Sequence, residues 1–263
     1  MRLSIITVNL NNKEGLQKTT NSVISQTFKD FEWIVIDGGS IDGSKELIEN
    51  HSEFISYWVS EPDKGIYNAM NKGIKAAKGE YLLFLNSGDF LMNSNVLDRF
   101  FAQGNNSDII YGYVARNIEG KVQNLTGFLS KDNISLIDLY YQTIPHQGTF
   151  FKAILFEKFG LYNENLRIVA DREFYIKTII YGNVSVKFIP ITVSFFEDGG
   201  ISSTSPKYLQ EKKQVLNSLV PPRIYKDMID AVSKREICKN KVTRFLYSCL
   251  YRISSIVNKY LAR

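Results

Sequence analysis

The chain has 263 residues, of which 44% are apolar and 22% are charged, and its formal net charge is +5. This composition excludes an intrinsically disordered chain, and the length is sufficient for one large core with or without an appendage. Only two cysteines occur, Cys238 and Cys249, so neither a disulfide framework nor a zinc site is expected.

No apolar run approaches the roughly 20 residues that span a bilayer, and the first residues, MRLSIITVNL, lack the layout of a signal peptide. The sequence therefore predicts a cytoplasmic protein.

Strand-like and helix-like segments alternate over the first hundred residues. Buried strands are predicted at Leu3–Val8, Phe31–Ile36 and Tyr81–Leu85, and a further strand at Ile55–Val59. Helices are predicted at Lys13–Gln26, from Asp42 or Ser44 through Ile48, and from Ile66 to Gly79. Parallel neighbours need crossover connections, so this alternation predicts an α/β fold whose mostly parallel central sheet is flanked by helices.

The pattern is less regular after the fourth strand. Predicted there are a helix at Asn95–Gln103, a strand at Asp108–Val114, a hairpin turn at Glu119-Gly120, a short helix at Ile134–Tyr141, and a strand-like run at Pro145–Phe151. A helix at residues 171–181, with Phe174, Ile176, Ile179 and Ile180 inward, is followed by two strands, Val184–Ile189 and Ile191–Phe196, about Pro190.

The C-terminal part is basic, because residues 207–263 carry 13 Lys or Arg and 4 Asp or Glu. Its apolar residues fall on one helical face: Val242, Phe245, Leu246, Cys249, Leu250, Ile253, Ile256, Val257 and Tyr260. Three interpretations remain open: a helix packed on the domain, an interfacial helix whose basic residues face anionic lipid, or, with less support, a nucleic-acid contact without a recognised motif.

Three acidic turns follow neighbouring strands: Asp37 after the second, Asp63 after the third and Asp89 after the fourth. Carboxyl ends of parallel strands share one edge of a sheet, which is where open α/β sheets bind ligands. A diphosphate beside carboxylates needs a cation between them, and oxygen ligands suit Mg²⁺ or Mn²⁺. The chain has neither a P-loop nor a GxGxxG sequence after its first strand.

Two further residues allow two interpretations each. Asp171 either only stabilises the first turn of its helix through the dipole or accepts a proton from a hydroxyl as a general base. His146 is either a structural residue beside a strand or part of the site.

Together, the segments SIITVNLNN, SQTFKDFEWIVIDGGSIDGS, NKGIKAAKGEYLLFLNSGD, HQGTFF and ADREF resemble family-2 glycosyltransferases of the GT-A fold, similar to those that assemble bacterial surface polysaccharides. The resemblance covers roughly residues 1–205. It implies a nucleotide-sugar-binding half at 1–115, an acceptor-side half at 116–205 and a helical extension at 206–263. It also implies inverting transfer from a nucleotide-diphosphate sugar, UDP by default.

The resemblance assigns roles to individual positions. On the donor side, Asp37 matches the acid that contacts the nucleotide base, with Thr7 and Asn9 beside it and Asp63 in the next turn. The remaining assignments are Asn86 and Ser87 beside the nucleotide sugar, Asp89 as metal ligand, Asp171 as catalytic base, and His146 and Gln147 on the acceptor side.

Two motifs depart from the family pattern. Many members have DDGS where this chain has Asp37-Gly38-Gly39-Ser40, and many have DxDD where it has Asn86-Ser87-Gly88-Asp89. With Asp89 as the only carboxylate for the metal, binding of Mn²⁺ or Mg²⁺ should be weak until the diphosphate supplies further ligands.

The sequence therefore predicts a metal-dependent inverting glycosyltransferase that acts at the inner face of the cell membrane on a lipid-linked saccharide acceptor. It predicts no nucleic-acid partner. The alternative is a non-catalytic nucleotide-sugar-binding or scaffold protein of the same fold, which the reduced DxD element favours. A sugar nucleotidyltransferase is less well supported, because its Gly-rich, Arg-containing N-terminal loop is missing.

Overall fold

The computed structural model of the protein describes residues 1–104, 106–118, 121–197 and 206–237. The chain divides into two compact units, Met1–Val215 and Leu216–Arg263. Three features predicted from the sequence lie outside the described residues: the turn at Glu119-Gly120, the two cysteines, and the amphipathic helix at residues 242–260.

The described strands are β1 (Leu3–Asn9), β2 (Phe31–Asp37), β3 (Tyr57–Ser60), β4 (Tyr81–Phe84), β5 (Phe90–Leu91), β6 (Ile109–Ile118), β7 (Lys121–Asn124), β8 (Thr149–Lys152) and β9 (Val186–Phe196). The described α-helices are α1 (Lys13–Ile24), α2 (Ser44–Asn50), α3 (Ile66–Ala76), α4 (Val96–Phe101), α5 (Leu136–Tyr141), α6 (Ile154–Phe159), α7 (Ala170–Tyr175), α8 (Tyr208–Leu219) and α9 (Pro222–Ile237). None of these helices combines the length and the apolarity needed to cross a bilayer.

The strands form one mixed sheet in the order β3-β2-β1-β4-β8-β6-β9-β5, with β7 paired to β6. Strands β3, β2, β1 and β4 are parallel, and β8 is antiparallel to both β4 and β6. In the parallel half, Asn9 lies opposite Asp37, and Asp37 lies opposite Ser60. The first three strands therefore end side by side. The predicted α/β fold with a central sheet flanked by helices is confirmed, but the sheet is mixed: its first four strands in this order are parallel, whereas β8 with β4, β8 with β6, β7 with β6 and β5 with β9 pair antiparallel.

Strands β1, β2 and β4 are buried on both faces, as their apolar runs indicate, whereas β3 at the edge of the sheet is exposed or half-buried. Every residue of β1 is buried, and the same holds for β4. On one face, Leu16 and Val23 of α1 join the core cluster that includes Leu3 and Ile5. On the other face α3 packs against β1 and β2.

The close approach of α3 to the sheet depends on a glycine. A Cβ added to Gly73 would lie 2.4 Å from Ile6 Cγ2, which is closer than side chains pack.

The two strands predicted about Pro190 form one strand, β9, which continues through the proline. Pairing of β9 with β6 passes from Tyr111–Phe188 to Tyr113–Thr192, so β9 advances four residues while β6 advances two. A proline lacks the N–H that a regular ladder uses, and a bulge is where a strand accommodates it. Gly112 permits the bulge, because a Cβ there would lie 2.4 Å from the carbonyl oxygen of Ile191.

The helix predicted at residues 171–181 forms but changes type along its length. After α7 it continues as a π-helical segment, Ile176–Tyr181. Phe174, Ile176 and Ile179 are buried as predicted, whereas Ile180 is only half-buried. Asp171 lies in the first turn.

Candidate active site

The carboxylate of Asp37 joins three turns at the carboxyl edge of the parallel strands. It is fully buried, and its Oδ1 accepts hydrogen bonds from Asn9 Nδ2 at 2.7 Å and Ser40 Oγ at 2.6 Å. Its Oδ2 accepts from Ser60 Oγ at 2.6 Å and from the backbone N–H groups of Ser40 at 2.9 Å and Gly39 at 3.2 Å. Burial raises the pKa of this carboxyl, but the hydrogen bonds outweigh burial and leave the pKa below its ordinary value.

This environment bears on the predicted contact between Asp37 and a nucleotide base. A carboxylate has about four lone-pair directions, and five donors already point at Asp37. A base could contact it only by displacing one of these donors. Thr7 is also fully buried, and its Oγ1 accepts a hydrogen bond from Trp33 Nε1 at 3.0 Å. The buried side chains of Asp37 and Thr7 therefore stabilise this edge of the sheet from its interior.

The turn after β4 is fixed by helix α1. Thr19 Oγ1 donates to the carbonyl oxygen of Asp89 at 2.7 Å and accepts from the N–H of Gly88 at 3.1 Å. Asn12 Nδ2 donates to the carbonyl oxygen of Ser87 at 3.1 Å. Gly88 adopts φ +102°, a conformation that side chains disfavour. The turn is thus held rigidly over the start of α1.

The side chain of Asp89 is buried beside residues from two distant segments. Burial raises its pKa to about 7, although nearby His146, the backbone N–H of Glu197 and the side chain of Gln147 act in the opposite direction. The predicted metal ligand and both predicted acceptor-side residues thus lie together.

His146 connects the turn after β4 to helix α7. Its Nε2 lies 3.3 Å from Asn86 Nδ2, and its Nδ1 lies 3.9 Å from Asp171 Oδ2. Asp171 is partly accessible, with 18% of its side chain exposed, and its Oδ1 accepts the N–H of Arg172 at 2.7 Å. Asp171, His146 and Asn86 therefore form one cluster at the edge of the sheet.

Helix α7 is held in place by groups that sequence reasoning did not identify. The buried carboxylate of Glu211 in α8 accepts the backbone N–H of Arg167, at 3.0 and 3.1 Å to its two oxygens, and that of Ile168 at 2.9 Å. Tyr67 of α3 donates its hydroxyl to the carbonyl oxygen of Ile168 at 2.7 Å. These bonds fix the segment just before Asp171, and no local pattern signals them because the partners are far apart in sequence.

Arg172 fixes the same helix from inside. It is 1% exposed, and its guanidinium donates to the carbonyl oxygen of Leu139 and, at 2.7 Å, to the hydroxyl of Tyr208. These bonds tie α7 to the end of α5 and to α8, so Arg172 orients the helix that carries Asp171.

The residues of the turn after β4 are suited to a divalent cation that is also bound by a diphosphate. The buried Oδ1 of Asn86 finds no hydrogen-bond partner among the described residues, and Asp89 adds a carboxylate. Both are oxygen donors of the kind that Mg²⁺ and Mn²⁺ prefer. Within the described part of the chain, no group of three or more His, Cys, Asp or Glu could hold a metal ion. The donors present therefore fit a cation whose remaining ligands come from phosphate and water.

Comparison with known proteins identifies the family. The sequence profile described as "Glycosyl transferase family 2" matches residues 4–161, which is more than half of the chain. The chain belongs to glycosyl transferase family 2. The match includes β1 from its second residue, β2 to β4, the three acidic turns with Asp37, Asp63 and Asp89, and His146.

Curated relatives of this family 2 glycosyltransferase include mycobacterial proteins. An uncharacterized glycosyltransferase of Mycobacterium tuberculosis is 33% identical over 193 residues, which cover 68% of this chain and 69% of the relative. A "PGL/p-HBAD biosynthesis glycosyltransferase" of Mycobacterium bovis is 31% identical over 209 residues, which cover 76% of this chain and 79% of the relative.

Solved structures show that this glycosyltransferase has the GT-A fold. S. aureus TarS 1–349 in complex with UDP-GlcNAc matches with a TM-score of 0.68 at 19% identity, covering 82% of this chain and 64% of that chain. The mannosyltransferase PcManGT from Pyrobaculum calidifontis, in complex with GDP-Man and Mn²⁺, matches with a TM-score of 0.59 at 14% identity, covering 96% of this chain and 80% of that chain. This chain thus spans less than two thirds of the TarS chain.

Proposed function

We propose that this protein is an inverting glycosyltransferase that moves a sugar from a nucleotide-diphosphate sugar to a hydroxyl group of a lipid-linked saccharide. The observation that carries the proposal is the grouping of Asp89, His146 and Asp171 at the carboxyl edge of the parallel strands. A direct displacement needs a site for the leaving diphosphate and a proton acceptor at the same reacting centre. In this cluster Asp89 would bind the diphosphate through a cation, and Asp171 would accept the proton.

Asp171 is the proposed general base. Its carboxylate is partly accessible, and its position is fixed by the bonds around Arg172 and by the segment that Glu211 holds. It takes the proton from the acceptor hydroxyl while the hydroxyl oxygen attacks the anomeric carbon on the side opposite the diphosphate. One such displacement inverts the configuration of that carbon.

The donor is proposed to bind along the edge formed by Asn9, Asp63, Ser87 and the turns that Asp37 joins. Asn86 and Asp89 would hold Mn²⁺ or Mg²⁺. The cation, when bound, would neutralise negative charge that develops on the departing diphosphate. UDP is the nucleotide proposed first. The UDP-GlcNAc complex of S. aureus TarS and the GDP-Man and Mn²⁺ complex of PcManGT support a donor of this class.

The acceptor is proposed to enter beside His146 and Gln147. The name of the Mycobacterium bovis relative, which refers to PGL/p-HBAD biosynthesis, supports a role in assembling a cell-surface glycoconjugate. The protein would work at the inner face of the membrane, with the basic residues of the C-terminal extension against anionic lipid.

A thermal-shift screen of the full chain with UDP-, GDP- and dTDP-sugars, each with and without Mn²⁺, tests the donor site. A ligand that binds the native state raises its apparent stability, so one donor should raise the midpoint only when the metal is present. Metal-dependent release of the nucleotide from that donor then separates an enzyme from a non-catalytic binding protein. If no donor shifts the midpoint at saturating concentration, the proposed function is wrong.

The membrane proposal is tested by flotation of the full chain with vesicles that contain phosphatidylglycerol. A variant with Gln at positions Lys241, Arg244, Arg252 and Lys259 should remain with the soluble fraction, because each basic residue near an anionic surface adds roughly 1 kcal/mol of binding. Equal flotation of the variant and the unsubstituted protein would show that this charge does not hold the chain at the membrane.

A further inference from the structure

A glycine stands where many family members carry the second acid of their DDGS motif, and a carboxylate from another turn occupies the space beside it. A Cβ added to Gly38 would lie 2.6 Å from Asp63 Oδ2 and 3.2 Å from Leu10 Cδ1. Any side chain at position 38 would therefore have to push Asp63 aside. Position 38 therefore lacks an acid, but the carboxylate of Asp63, from the turn after β3, lies beside it.

The carboxylate of Asp63 is oriented by its own turn. Its Oδ1 accepts the backbone N–H of Gly65 at 2.8 Å. The turns after β2 and β3 are also joined directly, because the N–H of Glu61 donates to the carbonyl oxygen of Asp37 at 3.0 Å. Oδ2 accepts no hydrogen bond from any described residue, and the side chain is only partly buried. One oxygen is thus used to hold the group, and the other remains available to a ligand.

The chemistry of this position suits a neutral hydrogen-bond donor better than a phosphate. A carboxylate repels phosphate, which favours the Asn86 and Asp89 turn where a cation can bridge the charges. Leu10, which is 56% exposed, adds an apolar surface beside the free oxygen. A flat ring with a polarised N–H at its edge would satisfy both groups.

The spacing along the sheet agrees with this placement. The turn after β3 lies three strands away from the turn after β4, since β2 and β1 lie between them. At about 4.8 Å per strand this separation is about 14 Å, which an extended nucleoside diphosphate can bridge from its base to its outer phosphate.

Building on the proposed function, we infer that Asp63, in place of an acid at position 38, binds the nucleotide base by accepting a ring N–H. Uracil and thymine carry such a hydrogen at N3 and guanine carries one at N1, whereas cytosine and adenine present an unprotonated ring nitrogen at the corresponding position. Asp63 therefore selects UDP, dTDP or GDP donors against CDP and ADP donors.

Calorimetric titration of the full chain with UDP, dTDP, GDP, CDP and ADP, each with Mn²⁺, tests this assignment. A nucleotide with the ring N–H should bind best, and Asp63→Asn should weaken its binding by about 10- to 100-fold, the range for loss of a hydrogen bond to a charged group. Glu61→Gln is the matched control, because it removes an equal charge from the same turn at a side chain that is paired with Lys72. Glu61→Gln should keep both the affinity for the nucleotide and the preference for a base with a ring N–H.

A transplanted carboxylate gives a second, independent readout. Gly38→Asp alone should weaken nucleotide binding, because its side chain meets Asp63. Gly38→Asp combined with Asp63→Ala, which removes the carboxylate that the new side chain meets, should restore the preference for a ring N–H. Thermal unfolding without nucleotide establishes that each variant is folded. If the double variant does not fold, the comparison of Asp63→Asn with Glu61→Gln decides whether Asp63 binds the base.

Failures of the two proposals can be told apart. If the unsubstituted protein binds none of the five nucleotides, the proposed glycosyl transfer fails. If it binds them but CDP or ADP binds as tightly as UDP, dTDP and GDP, or if Asp63→Asn leaves the preference unchanged, only the assignment of Asp63 is overturned.

Discussion

Substitution of Asp37 should reveal how much stability one carboxylate contributes by joining three turns. Asp37→Ala removes an acceptor from five donors and leaves the partly buried backbone N–H groups of Gly39 and Ser40 unpaired. Each unpaired group costs about 1 to 3 kcal/mol, so the free energy of unfolding should fall by about 4 kcal/mol. The expected decrease in melting temperature is about 8 to 16 °C for a domain of this size.

Asp37→Asn should have a smaller effect, because the neighbours can adapt to an amide. If the new amide oxygen takes the place of Oδ2, both backbone N–H groups keep their acceptor. The NH₂ group then faces Asn9 and Ser40, whose amide and hydroxyl can turn to accept, and Asn9 Oδ1 has no partner among the described residues to lose. Loss of the charge alone should lower the free energy of unfolding by about 2 kcal/mol.

Urea unfolding followed by tryptophan fluorescence measures both effects, and Asp42→Ala is the control. Asp42 also accepts backbone N–H groups, from Lys13 and Ser44, but it is exposed, so the effect of its removal should remain below about 1 kcal/mol.

The pKa of Asp37 is below its ordinary value of 3.8, so its ionised form stabilises the fold above that pH. This contribution is lost as the pH falls further, and the difference between Asp37→Asn and the unsubstituted protein should shrink in acid. Equal destabilisation by Asp37→Ala and Asp42→Ala would refute the reasoning.

Three other substitutions have defined outcomes. Asp171→Asn should keep donor binding in calorimetry and slow transfer by about 100- to 10,000-fold, and near-full transfer would show that the base is another group. Asp89→Asn should weaken metal-dependent donor binding. Because burial raises the Asp89 pKa to about 7, the same change should stabilise the metal-free protein increasingly from about pH 4 to pH 7, by up to about 4 kcal/mol, which urea titrations across that range measure. Gly73→Ala should destabilise by about 1 to 2 kcal/mol in the same assay, because overpacking against Ile6 exceeds the gain in helix propensity; a stabilised variant would contradict this packing.

The parallel half of the fold could be predicted because its signals are local. Continuous apolar runs such as β1 and β4 are typical of strands buried on both faces, and the turn residues after them mark where the strands end. The motifs indicate Asp89, His146 and Asp171 as candidate site residues, and the structure brings them together.

Other features depend on partners that are distant in sequence. Pro190 indicates the end of a strand when it is considered alone, yet β9 continues because the facing residue of β6 is Gly112 and a bulge fits there. Likewise, Asp37 accepts one of its hydrogen bonds from Ser60, and no pattern near Asp37 in the sequence indicates this partner. Sequence spacing identifies which polar groups lie at an edge but not which of them remain free for a ligand.

The position of Glu211 has a practical consequence for any shortened form of this protein. A protein cleaved after residue 205, at the end of the stretch that resembles the family, would keep every described strand and every proposed ligand of the donor. It would lose the acceptor of the two backbone N–H groups that precede Asp171. Such a fragment should bind a nucleotide sugar and yet transfer it poorly. Proteolysis in this region would therefore separate recognition of the donor from turnover.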